Sequence, residues 1–155
     1  MTIQKTTTEV APAPTFFRPR PASVLLLIVG VVYFVFAAFN LRLASVSSTR
    51  AAEYRGQPQF QQQFERTSIR LYWGGFWSML VGGLCICGRA GLKPGAPVGF
   101  AASALFVAIA MCITARTWVA ALLHGQVHMA WIEPLLVWPC LAYALIYACR
   151  ASRRD

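Results

Sequence analysis

His124 and His128 stand four residues apart, a spacing that on a helix would aim both imidazoles the same way and let them share a divalent metal. Gly125 between them argues against a firm helix, and the only nearby carboxylate is Glu133. That donor set reads as interfacial histidines, or as a weak response to outside pH, before it reads as a metal centre. Cys85-Ile-Cys87 lacks the two-residue spacer of a thiol redox pair. With Cys149, these thiols sit at one end of apolar stretches beside Arg89 and Arg150, as palmitoylation candidates or as small packing residues. Arg116 and Glu133 are the charges nearest to membrane depth. They read as two snorkelling interfacial charges, as an ion pair ordering two helices, or as the lining of a polar crevice. Nowhere does a nucleophile stand with a base, nor is there a carboxylate pair, a phosphate-binding glycine loop or a cofactor fingerprint. The expectation is a chain with no catalytic residue, no cofactor and no resident metal, and so not an enzyme.

The elements that must position these residues follow from composition. Of the 155 residues, 57% are apolar and 12% charged, more grease than an ordinary soluble domain can hide. The apolar residues gather into four blocks, about 22–41, 71–88, 97–115 and 129–149. Each is close to the ~20 residues that carry a helix across ~30 Å of hydrocarbon. Strands are excluded because the blocks lack dyad alternation, and an unpaired peptide group costs several kcal/mol in lipid. The fold class is therefore an all-α membrane protein, an antiparallel bundle of four transmembrane helices within 22–150. Residues 1–21, rich in Thr, Pro and Ala, read as a flexible tail, and 151–155 as a short basic one. The run that precedes Ala44, Ser45 and Ser47 is longer than a typical signal core, so a retained anchor is favoured over a cleaved signal.

The connections add detail. Residues 42–70 form the one sizeable connection, in which Pro58 can begin a helix and Phe60 and Phe64 would share its face. Such a helix would rest at headgroup level or run on into the second span; the alternative is a solvated linker. Pro134 and Pro139 are expected to kink the fourth span. The net charge of +9 is spread over tails and connections rather than one face, which argues against nucleic acid. Lys5, Arg18, Arg20, Arg89, Lys93, Arg150, Arg153 and Arg154 fall on one side, against Arg42, Arg50, Arg55, Arg66 and Arg70 on the other. That excess places both termini in the cytoplasm, at a plasma or bacterial inner membrane.

In the second span Gly74, Ser78 and Gly82 recur every four residues, giving a face that another backbone can approach closely. The third span offers Ala101, Ala104, Ala108 and Cys112 as a partner surface, within the bundle or between copies. Tyr72, Trp73 and Trp77 look like an interfacial aromatic belt. The run Tyr72-Trp-Gly-Gly-Phe-Trp-Ser-Met-Leu-Val-Gly-Gly-Leu84, its basic turn and the small-residue span from Gly99 to Ala110 resemble the membrane-spanning four-domains family, to which the B-lymphocyte surface antigen belongs. The resemblance is confined to residues 71–110, and the chain departs from the family in a short third connection without a cysteine pair. It implies a non-enzymatic, oligomerising membrane protein that modulates signalling or ion flux. The expected function is thus an oligomerising interaction or modulator subunit. Its partners would be the bilayer and a second copy or another membrane protein, with no identifiable small-molecule substrate. The alternative is a small channel or transporter subunit with Arg116 and Glu133 at a polar crevice.

Overall fold

The computed structural model describes residues 19–92, 97–123 and 133–152, and all regular structure among them is helical. Helix α1 runs Pro19–Glu53, α2 Pro58–Gly91 and α3 Pro97–Leu123. A π-helical turn, Glu133–Val137, leads into α4, Trp138–Ser152. With the π turn counted into the fourth span, Pro134–Ser152, all four helices are long and apolar enough to cross a membrane. Their apolar windows are buried within the bundle to only 33, 28, 17 and 17%, leaving most of that surface facing outward. Val35, Phe39, Trp73 and Leu105 are each more than half exposed. Outward grease on this scale exceeds the patches that water-soluble monomers carry and is what a lipid-facing surface requires.

Helices α1 and α2 are far longer than the spans read from sequence, and the connection 42–70 shrinks to the turn 54–57. Elongating a helix that is already nucleated needs only one hydrogen bond per residue fixed, and Arg42–Glu53 holds no Pro or Gly to stop it. Hydroxyls along the extension bond back to the helix, Ser48 and Thr49 both donating to the Ser45 carbonyl at 2.8 and 3.0 Å. On α2, Thr67 donates to Gln63 at 2.9 Å, and the Gln61 amide reaches Glu65 at 2.9 Å one turn on. Pro58 opens α2, where its missing N–H is no loss. The turn is closed by the Gln57 N–H bonding the Tyr54 carbonyl at 2.9 Å. Phe60 and Phe64 both pack on Tyr54, the latter stacked with ring centroids 5.6 Å apart.

This aromatic clasp makes a prediction. Tyr54→Ala should cost about 1 kcal/mol beyond lost area, opening the hairpin tip roughly fivefold more often. Tryptic cleavage after Arg55, followed by gel or mass spectrometry, reads that opening directly. An unchanged cleavage rate would mean that the rings merely rest together.

One apolar core joins all four helices through Leu26, Val29, Val81, Cys85, Val107 and Leu141, with the small residues Ala110, Ala144 and Ala148. Phe100 meets Tyr147 edge to face at 6.3 Å, tying the start of α3 to the end of α4. The Arg89 guanidinium Nε donates to Ser23 Oγ at 3.2 Å, linking α2 to the start of α1. At Pro139 the ladder loses an N–H, and the chain before it widens into the π turn. One residue on, Cys140 Sγ donates to the Leu136 carbonyl at 3.2 Å, a bond back along its own helix. The effect expected of Pro134 and Pro139 thus takes the form of a π turn.

Candidate functional site

The most extensive helix contact is a seam of small residues between α1 and α2. On α1 it runs through Gly30, Ala37, Ala44 and Ala51, every seventh residue and all buried. On α2 it runs through Ser68, Gly75 and Gly82, again every seventh and buried. A Cβ added at Gly82 would lie 3.1 Å from the Gly30 carbonyl oxygen, and one at Gly30 3.3 Å from the Gly82 oxygen. Seven residues away on each helix, a Cβ at Gly75 would lie 3.4 Å from the Ala37 carbonyl and 3.0 Å from Leu41. Register falls along α2 as it rises along α1, and the two backbones nearly touch at both levels.

The face expected from sequence, Gly74, Ser78 and Gly82, shares only its last member with this seam. Four residues overshoot a helical turn by about 40°, so Gly74 and Gly82 point about 80° apart, whereas seven residues fall only ~20° short of two turns. Gly74 lies on the flank, its would-be Cβ 3.5 Å from Asn40, and Ser78 is half-buried. The partner also differs, for Gly82 faces α1 and not α3. Gly30, Ala37, Ala44, Ala51, Ser68 and Gly75 were missed, although a seven-residue recurrence of small residues was there to be found.

Helix α3 meets α2 at Gly88 and Gly91 instead. Ser103 Oγ donates to the Gly88 carbonyl at 2.7 Å in a buried setting, and a Cβ at Gly88 would touch Val107 at 3.3 Å. The buried row of α3 is Phe100, Ser103, Val107, Ala110 and Thr114. Ala104 packs half-buried against the core, Ala108 is half-buried, and Ala101 and Cys112 are exposed. Part of the small-residue surface expected as a partner for α2 therefore looks outward.

Toward the other end of α3, the Arg116 guanidinium lies over the Trp77 ring, 5.3 Å from its centroid. That is a cation–π placement, natural for an interfacial cation among aromatic residues. Trp77 in turn meets Phe76 edge to face at 5.5 Å, and Trp118 meets Trp138 at 5.4 Å across α3 and α4. The Glu133 side chain lies outside the described residues, as do His124 and His128, so Trp77 is the contact seen for Arg116.

All five cysteines are free. Cys85 is fully buried in the core, out of reach of acyl transfer, which separates it from Cys87 and Cys149, both exposed at the expected end. Among the described residues, no three His, Cys, Asp or Glu side chains converge as metal ligands would. No known protein family, curated protein or solved structure matches this chain.

Proposed function

We propose that the chain is an integral membrane protein, an antiparallel four-span bundle with both termini cytoplasmic, and that it serves as a non-enzymatic, oligomerising interaction or modulator subunit of a membrane complex. The observation that carries this reading is the α1–α2 hairpin. Residues 42–53 and 58–70 continue as helix for about 18 Å beyond the apolar spans, held by the same small-residue seam, since Ala44, Ala51 and Ser68 remain buried there. A seam maintained outside lipid makes a stiff post that presents polar side chains to a partner. Arg116 over Trp77 fits an interfacial cation better than a conducting crevice. The resemblance of residues 71–110 to the membrane-spanning four-domains family points to the same class of role.

Self-association has a surface available to it. Because Gly75 and Gly82 of α2 are occupied by α1, and Gly88 and Gly91 by α3, we assign a contact between copies to the outward face of α3, where the small residues Ala101, Ala108 and Cys112 flank the exposed Leu105. Small strips, not hydrophobicity, let helices associate in lipid. In a Cys87→Ala/Cys149→Ala background, a short bismaleimide applied to native membranes should yield a covalent dimer through Cys112. Cys112→Ala should abolish that band, and Ala108→Leu should reduce it severalfold. Monomer alone in the parent background would remove oligomerisation through α3 from the proposal.

A further inference from the structure

The α2 face that meets α3 does not end where α3 ends. Trp77 is level with Arg116, so seven residues further out Arg70 comes level with Leu123, the last residue of α3. Beyond that point the same face borders a notch of about 460 Å³ lined by Gln59, Gln62, Gln63, Arg66, Thr67 and Arg70. These positions advance in steps of three and one, a single stripe along the helix. The lining offers two guanidinium groups, three carboxamides and a hydroxyl, and among the described residues no carboxylate. The nearest acid on α2, Glu65, is on another face, where it accepts the Gln61 amide at 2.9 Å.

We propose that this notch binds the headgroup phosphate of an anionic phospholipid. The inference rests on the membrane reading above. Guanidinium groups one helical turn apart present forked donors that two oxygens of one phosphate accept together, with the glutamine amides completing the shell. Depth selects lipid over free anion. Arg70 is the last charged residue before the apolar run that begins at Leu71, and Tyr72 and Trp73 just inside it are exposed. Leu123, the last residue of α3 and level with Arg70, is 81% exposed. A polar wall above an apolar sill matches a headgroup with acyl chains below it, whereas inorganic phosphate would use the wall alone.

The test uses the full chain in nanodiscs of phosphatidylcholine with phosphatidylglycerol, released into detergent for native mass spectrometry. The wild type should retain phosphatidylglycerol in preference to phosphatidylcholine. Arg66→Gln/Arg70→Gln should lower that preference roughly tenfold or more. Arg42→Gln/Arg50→Gln removes the same charge from α1 and should leave it intact. Equal retention by the two double variants would overturn the site, reducing it to unspecific charge. Displacement of the lipid by millimolar inorganic phosphate would overturn the lipid assignment. Alkaline carbonate extraction of the same preparations checks the membrane reading separately, because a chain that washes out fails there whatever lipid it binds.

Discussion

Gly82→Leu should part the α1–α2 hairpin, while Gly83→Leu, one residue along the same helix, should leave it standing. At Gly82 even a single added carbon would lie 3.1 Å from the Gly30 carbonyl oxygen and 3.1 to 3.2 Å from the Phe34 ring. Phe34, 38% exposed, can swing away. The Gly30 carbonyl is backbone in the middle of α1 and cannot. For Gly82→Ala the crowding is therefore offset by a helix-propensity gain of about 1 kcal/mol, and the net change should be small. Leucine adds three further carbons to a gap with no room for them, and overpacking of this kind costs about 3 kcal/mol or more. At Gly83 nothing lies within 4 Å of an added Cβ, so leucine there should be neutral or slightly stabilising. Denaturation in mixed micelles, followed by helical circular dichroism, separates the two. Equal midpoints would mean that the seam does not hold the helices together.

The contrast between adjacent glycines also shows where the sequence was legible. Four apolar blocks can be read from the residues alone, and their length and apolarity are enough to cross a bilayer. Their ends were less visible, since polar residues such as Arg42 to Glu53 belong equally to a loop or to a solvated helix. Packing decided it, through Ala44 and Ala51 on one helix of the hairpin and Ser68 on the other. The candidate interface was half legible. Glycine and serine in the second span announce a close approach, but the small residues four apart turn away from the contact that those seven apart make. A long contact between two helices must follow the seven-residue period, because only that period stays on one side of the helix over several turns. The π turn before Pro139 had a visible cause in the proline and no visible form. Arg116 over Trp77 was not legible, for a cation–π contact across two helices requires the register between them.

A second large effect is expected where α2 and α3 converge. In Gly91→Ala the new Cβ would overlap the Gly99 carbonyl oxygen, well inside van der Waals contact, and lie 3.2 Å from Ser103 Cβ. The first of these is backbone against backbone, so neither partner can rotate out of the way. The start of α3 must slide, and with it Phe100, which is buried against Tyr147 of α4. A net loss of about 2 kcal/mol is expected after the gain in helix propensity is subtracted. Ser103→Ala removes a different interaction, the 2.7 Å bond from its hydroxyl to the Gly88 carbonyl. Interhelical bonds of this kind in membranes average about 0.6 kcal/mol, and this buried one should cost no more than about 1.7 kcal/mol. The combination distinguishes the causes. If the Gly99 carbonyl is the obstacle, Ser103→Gly, which deletes the side chain at 3.2 Å, leaves the cost of Gly91→Ala essentially unchanged. Full rescue by Ser103→Gly in thermal unfolding would instead assign the crowding to the serine, and the two backbones would then not be in contact at the point where the α2–α3 turn begins.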